Sequence, residues 1–462
     1  MPDRGLTVIT IPPATANGPL HVGHLSGPYL ASDIAARAAK ARGERVLAMA
    51  GVDVGQNFIP TMAENEGLDV ERMIARCRAE ILEAFHRGHI HYDAFVDPQT
   101  PGYRRAIADM VCEMVARGTL PMREVTLHAC ADCARTLHHA YVAGTCSWCS
   151  SPSSGGSCEG CGGFTSAETL VDPYCDRCGG RAVAFAATVP VLRIEDFREQ
   201  LMEMWLRAEL PSRVRDLVAH CLRAGLPEIP LAYPTNWGIE GSGPLDGMRI
   251  DVWAEVGLSW LYGVAQALDP AATTLDACVA EWQREVDELW QFHGIDNTFY
   301  FAIFWPALFA AAGLERLPLS GLVVNEFYTL DGAKFSTSRN HAIWAHEFLA
   351  EQDPAIVRLF LAWDRPDRRA TDFTRASFEA FRDHVRRLLD GRSQASAALP
   401  PQLAAAERAR GEQALELVGF DAALAARSML TLLAAGVEHG PVLTALTAVN
   451  PRAAAPLALE AA

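Results

Sequence analysis

Residues 6–24 read LTVITIPPATANGPLHVGH. Leu6 to Ile11 is a short β-branched apolar run closed by Pro12 and Pro13, which predicts a strand. Leu25 to Arg42 is Ala-rich and predicts a helix. His21 and His24 therefore fall at a strand-to-helix junction. First-turn N–H groups are expected to be unpaired there and the helix dipole is positive, so phosphate can be held. Two imidazoles a turn apart can donate to its oxygens, and Gly18 and Gly23 let a nucleotide approach the backbone. Taken alone, the four residues HVGH are better read as two surface histidines capping a helix. The far stretch Lys334-Phe335-Ser336-Thr337-Ser338 answers them with a lysine on a Gly/Ser-rich segment.

The 462 residues exceed one hydrophobic core and predict two or three domains. No uninterrupted apolar run is long enough to span a bilayer, and no secretory signal precedes the first strand, so a cytoplasmic protein with no membrane partner is expected. The net charge of −16 weighs against nucleic acid as a partner, because it is held by Lys and Arg that displace counterions.

Four C-x-x-C pairs fall in one stretch: Cys130/Cys133, Cys146/Cys149, Cys158/Cys161 and Cys175/Cys178. Eight thiols at this spacing match two tetrahedral four-cysteine Zn2+ sites, and a reducing compartment disfavours the alternative of disulfides. Four thiolates leave no open position for water, so such sites are structural. Cys77, Cys112, Cys221 and Cys278 sit singly and read as small buried hydrophobes.

Together with the upstream strand, ATANGPLHVGH, Gly51-Val52-Asp53 and GAKFSTSRN resemble the class I aminoacyl-tRNA synthetases, specifically the methionyl-tRNA synthetase family, over about residues 6 to 390. The resemblance implies an α/β fold: a doubly wound, Rossmann-like parallel sheet with its ligand near the switch point, a zinc-knuckle insertion and a C-terminal helical domain. The expected divisions are residues 1–115 and 231–325 for the two halves of the catalytic domain, 116–230 for the insertion, 326–392 for the KFSTS loop and a helical region, and 393–462 for a reduced helical domain. It also implies nested knuckles, with Cys146, Cys149, Cys158 and Cys161 closing one site and Cys130, Cys133, Cys175 and Cys178 the other.

The implied reaction is amino-acid activation with ATP and Mg2+, in which a carboxylate attacks the α-phosphorus and expels pyrophosphate. His21 and His24 would bind phosphate oxygens; Lys334 would clamp the pyrophosphate side, with Ser336 and Ser338 as hydroxyl donors. Thr337 stands where the family carries a second lysine, and Arg339 is a partial substitute. Asn17, Gly18, Gly23, Gly294, Asp296, Asn297 and Thr337 would contact the nucleotide, Asp296 through both ribose hydroxyls. Asp53 matches the aspartate that holds the substrate ammonium, although the family's following His-Gly is Gly55-Gln56 here. Pro13, Thr15, Trp253, Gly257, Trp260, Tyr300, Phe301 and Trp305 would surround the amino acid.

That pocket departs from the family in a directed way. Trp253 and Trp305 match its aromatic walls. The family's sulfur-sensing tyrosine is Trp260, the histidine partnering it is Phe301, the pocket proline is Gly257, and a tyrosine is Thr15. Two polar sensors have become apolar rings, while Gly257 and Thr15 are expected to open space. Four changes around one ligand point to a substrate other than methionine. The family's anticodon-reading Asn-x-x-x-Arg has no counterpart in FRDHVRRLLDGRSQ (residues 381–394), and the last tryptophan is Trp363. The expected function is amino-acid adenylate formation for small-molecule biosynthesis, on the analogy of synthetase-like proteins that work with cupin partners in hydrazine assembly. A methionyl-tRNA synthetase with a minimal anticodon domain, and a catalytically silent regulatory or tRNA-binding paralogue, stay open as alternatives.

Overall fold

The computed structural model describes residues 5–335, 341–389, 399–437 and 440–448. Its centre is a parallel sheet of β1 (Leu6–Thr10), β2 (Val46–Asp53), β3 (Ala94–Val96), β4 (Val286–Gly294) and β5 (Leu319–Asn325), in spatial order β5-β4-β1-β2-β3. A two-residue strand, Ala14–Thr15, pairs with Val52 and Asp53 at the end of β2. Every residue of β1 is buried. A strand covered on both faces must be apolar throughout, which is why LTVIT carries no period-2 alternation. Leu6 and Val8 belong to a core shared with α3 (Pro101–Ala116) and α4 (Val252–Leu268), reached through Ile107 and Leu258. Ile9 and Ile11 belong to the opposite core, with Ile34 of α1 (Leu30–Ala41) and Ile81 of α2 (Val70–Arg87).

Strand order reverses between β1 and β4: β2 and β3 lie to one side, β5 to the other. The carboxyl ends of β1 and β4 therefore part, and loops leaving them diverge over a crevice. The segment carrying His21 and His24 leaves β1; the turn carrying Asp296 leaves β4.

Between the two halves of the sheet, Met122–Cys130 and Ala182–Arg193 form an antiparallel ribbon, and all eight C-x-x-C cysteines lie at or beyond its tip. C-terminal to β5 come α5 (Pro354–Trp363), helix Arg375–Leu389, helices Pro401–Gln413 and Ala422–Ala434, and α6 (Gly440–Thr447). Among the described residues, no helix is long and apolar enough to cross a membrane.

One buried ion pair ties these parts together. Arg358 of α5 donates to Asp33 of α1 at 2.7 Å, to the Gly88 carbonyl after α2 at 3.0 Å and to the Leu446 carbonyl of α6 at 3.1 Å. Both side chains are at most 2% exposed. Burial alone would push Asp33 upward, but the Arg358 and Arg37 guanidinium groups outweigh it and hold the carboxyl below its ordinary value. Its contribution is therefore present at neutral pH and lost as acid protonates it in the folded state. Arg358→Ala would leave that carboxylate and several carbonyls without their main partner, so it should lower unfolding free energy by about 3–5 kcal/mol. Urea unfolding checks this; a loss under 1 kcal/mol would show that the hub is dispensable.

Candidate active site

A cleft of about 410 Å³ opens over the crevice between β1 and β4. Pro13, Thr15, Asn17, Gly18, His21, Gly23, His24, Asp53, Trp253, Gly294, Asp296, Asn297 and Lys334 all line it, from segments as distant in sequence as residues 13 and 334. Ser336, Thr337, Ser338 and Arg339 lie outside the described residues.

The two histidines cap one another. His21 N–H donates to His24 Nδ1 at 3.3 Å, and His24 N–H donates to His21 Nδ1 at 3.2 Å. The rings stack with centroids 3.6 Å apart, and His21 stacks in turn on Phe335 at 4.2 Å. An Nδ1 that accepts leaves the ring proton on Nε2. Burial, with the neighbouring His24 and Lys334 charges, holds His21 well below its ordinary value; His24 has surface open to the cleft, yet the protein packed around its ring pushes it down to about 4. Both rings are thus neutral near pH 7, each carrying its proton on Nε2.

This corrects the expectation of unpaired backbone donors. Besides the two capped N–H groups, Val22 N–H is taken by the Ile343 carbonyl at 3.0 Å, so three of the first-turn donors are spent and the imidazoles take their place. Gly23 also has a different reason: a Cβ there would stand 3.0 Å from His21 Nδ1 and 3.1 Å from Phe335, so the ring stack requires it. Gly294 is required by Asp296, whose Oδ1 lies 2.5 Å from where its Cβ would be.

Asp296 sits at the turn after β4, and burial pushes its carboxyl up to about 6, with Glu159 adding to the shift. The inner knuckle braces this turn: Ser157 Oγ donates to the Asp296 carbonyl at 2.6 Å. Lys334 is paired with Glu159, a knuckle residue that sequence reasoning missed because the two are 175 positions apart. Both members are at least half exposed, so the pair is weak and a phosphate could displace Glu159.

Asp53 is held by the turn that GQ creates. Its Oδ1 accepts from Gly55 N–H at 2.8 Å and Gln56 N–H at 3.1 Å, and Oδ2 accepts from Thr15 Oγ1 at 3.3 Å. Burial nonetheless pushes it up to about 6. Behind it stands Glu255, also missed, which burial and the Asp53 charge push up to about 8. Glu255 is therefore neutral near pH 7, and Asp53 carries the charge of that corner.

The remaining pocket residues lie behind the cleft wall. Trp253 stacks on Tyr300 at 3.7 Å, while Trp305 packs edge-on against Trp260 at 4.3 Å and Phe301 at 4.4 Å, and those two rings lie tilted to each other at 5.4 Å. Gly257 opens no free room, contrary to expectation: a Cβ there would meet Trp305 at 2.5 Å and Leu308 at 2.8 Å. Trp305 occupies that space and donates its indole N–H to the Trp253 carbonyl at 2.7 Å.

The eight cysteines form two groups, Cys130/Cys133/Cys175/Cys178 and Cys146/Cys149/Cys158/Cys161, nested as expected. Closest Sγ–Sγ separations run from 3.4 to 3.8 Å. These exceed a disulfide by far and match the edge of about 3.8 Å of a tetrahedron with Zn–S bonds of about 2.3 Å. The donor sets fit zinc. Of the four single cysteines, Cys77, Cys221 and Cys278 are buried as expected, whereas Cys112 is part-exposed and its Sγ lies 3.3 Å from the Ser242 carbonyl.

The family described as tRNA synthetases class I (M) matches residues 7–385. A methionine–tRNA ligase of Thermomicrobium roseum is 31% identical over 378 residues, covering 79% of this chain and 62% of the relative; one of Pyrococcus furiosus is 30% identical over 384 residues, covering 79% and 52%. The chain thus spans about half to two thirds of the length of these curated relatives. A crystal structure of Mycobacterium tuberculosis methionyl-tRNA synthetase bound by methionyl-adenylate superposes with a TM-score of 0.67 at 16% identity, covering 92% of this chain and 82% of that one. At that identity the likeness speaks for the fold.

The neutral Glu255 gives a test that needs no ligand. Its carboxyl ionises near 4.5 when free and near 8 when folded, so the unfolded chain sheds the proton first and stability falls as pH rises between these values. Glu255→Gln mimics the neutral acid and should flatten that part of the decline in urea-unfolding profiles. An unchanged slope in the variant would contradict the assignment.

Proposed function

The chain belongs to the methionyl class I tRNA synthetases, and from that premise we propose that it forms an amino-acid adenylate from ATP and a free α-amino acid. The single observation that carries this reading is the gathering of His21, His24, Asp296 and Lys334 on one cleft at the switch point.

The reaction joins two anions, so its barrier is lowered mainly by positioning and charge stabilisation. ATP enters with Mg2+ on its phosphates. Asp296, accepting from both ribose hydroxyls, fixes the nucleoside end. Asp53 as carboxylate holds the substrate ammonium and so aims the substrate carboxylate at the α-phosphorus. As that oxygen bonds to phosphorus, the bond to the β-phosphate breaks and pyrophosphate leaves with its electron pair. The His21 and His24 Nε2–H groups donate to phosphate oxygens without adding charge, and Lys334, drawn from Glu159, supplies the cation. The two cysteine groups would hold structural zinc, keeping the inner knuckle seated on the Asp296 turn.

For the acceptor, the small-molecule reading rests on Trp260 and Phe301: an indole and a phenyl ring stand where the resemblance assigns a phenol hydroxyl and an imidazole. The reading as a tRNA-charging enzyme is favoured by the curated relatives, which are methionine–tRNA ligases. Charging of a methionine tRNA transcript divides the two.

Amino-acid-dependent ATP–pyrophosphate exchange is expected with the zinc-loaded protein, and Lys334→Ala should lower its kcat about 10²–10³-fold, the usual effect of removing one transition-state donor. Exchange that persists at full rate in the variant would remove Lys334 from the mechanism. Metal analysis should find two zinc ions per chain, and Cys175→Ser should lose one; a full complement retained by that variant would contradict the nested sites.

A further inference from the structure

Asn57 occupies the N-cap of the helix Phe58–Glu66, directly after the turn that holds Asp53, yet its side chain makes no capping bond there. Asparagine is among the best N-cap residues because its oxygen ordinarily accepts from its own helix. Here the amide is spent elsewhere. Nδ2 donates to the His138 carbonyl at 2.8 Å and Oδ1 accepts from Ala140 N–H at 2.9 Å, so both halves of a side chain only 3% exposed are bonded to the cysteine-bearing insertion. The far end of the same helix is held as well: Glu64 accepts from Arg135 at 2.8 and 3.1 Å and lies 3.5 Å from Arg177.

These partners belong to the outer cysteine group. Arg135 lies two residues after Cys133, and Arg177 stands between Cys175 and Cys178. The two halves of the group, Cys130/Cys133 and Cys175/Cys178, thus each send one arginine to a single carboxylate, which requires that the halves be together. Segment 138–140 is seated on the same group, because Asp176 N–H donates to the Tyr141 carbonyl at 3.3 Å.

What the helix carries is Asp53. Gln56 N–H, next to Asn57, is one of the two backbone donors to Asp53 Oδ1, and the Gln56 carbonyl accepts from Ile59 N–H at 3.1 Å, so turn and helix are continuous. An amide that capped its own helix would leave this turn free to shift against the rest of the cleft; one bonded to residues 138–140 fixes it. The inner group, Cys146/Cys149/Cys158/Cys161, reaches the opposite end. Ser157 and Glu159, on either side of Cys158, contact the Asp296 carbonyl and Lys334.

We propose that the two cysteine groups divide the substrates between them: the outer group positions Asp53 through Asn57 and Glu64, and the inner group positions Asp296 and Lys334 through Ser157 and Glu159. The proposal rests on the reading of the cleft as an amino-acid-activating site, with Asp53 at its amino-acid end and Asp296 at its nucleotide end. Asn57 is a positioning residue, acting on substrate through Asp53. Gly155 N–H of the inner loop also reaches the His139 carbonyl at 3.0 Å, so the competing arrangement is a single brace for both ends.

The division is read as a split in KM. In ATP–pyrophosphate exchange by the zinc-loaded full chain, Asn57→Ala should raise the amino-acid KM about tenfold, the loss of two hydrogen bonds, and move the ATP KM less than about twofold. Ser157→Ala should do the reverse, raising the ATP KM about threefold to fivefold. Glu64→Ala removes an exposed ion pair and no core packing. It should raise the amino-acid KM about twofold and carries the test where Asn57→Ala fails to fold. Equal shifts of both KM values, or an amino-acid KM unmoved by Asn57→Ala or, where that variant fails to fold, by Glu64→Ala, would overturn the proposal. Hydrogen-exchange mass spectrometry needs no turnover. In Cys175→Ser, amides of residues 53–66 should exchange at least about tenfold faster while residues 294–298 keep their rate, and Cys149→Ser should show the opposite pattern. Both segments loosening together in either variant would establish the single brace and overturn the division, as would neither loosening. No pyrophosphate exchange with any amino acid would instead defeat the activation reading, and the amide-exchange pattern would then decide whether the two groups act on separate ends of the cleft.

Discussion

The gap between β1 and β4 is the constraint on which the site depends. Because strand order reverses there, loops leaving neighbouring carboxyl ends turn away from each other, and a cleft exists without any side chain being removed from a core. What fills its floor follows from local chemistry. The proline-bounded exit from β1 leads to a single turn in which the His21, Val22 and His24 N–H groups are taken by the two imidazoles and by Ile343, and this turns the rings into paired, neutral donors. The exit from β4 delivers Asp296 opposite them. Charge is supplied separately, by Lys334 from beyond β5.

The knuckle insertion belongs to this arrangement. Its inner loop bonds to the Asp296 turn through Ser157, reaches Lys334 through Glu159, and passes Gly156 beside Trp253 and Tyr300. A pair of thiolate-rich knuckles, rigid when metallated, can hold three such contacts in register where a free loop of serines and glycines could not. The cysteine groups stand apart from the cleft, but the loop they bracket touches it.

Much of this was legible in the sequence because the signals are local. A strand buried on both faces shows as an unbroken apolar run; the C-x-x-C spacing points to two groups of four thiols; HVGH and Lys334 reach one cleft. The structure resolves what distance in sequence conceals. Arg358 meets Asp33 across 325 positions, and Lys334 meets Glu159 across 175. Neither partner carries a pattern that announces the other. Gly257 was read as vacated space because composition says how large a residue is and not who fills the room; Trp305 does. Glu255 was missed for a related reason: a lone acid in an apolar segment becomes noteworthy only once its neighbours are known.

The central claim, that this cleft activates an amino acid by joining its carboxylate to the α-phosphate of ATP, is tested most directly by trapping the product. Zinc-loaded protein, ATP, Mg2+ and a pool of the common and hydroxylated amino acids would be incubated with pyrophosphatase, and enzyme-bound species read by mass spectrometry. The account predicts one aminoacyl adenylate in the wild-type protein and its near disappearance in His24→Ala. Bound ATP with no adenylate of any amino acid in the pool would contradict it.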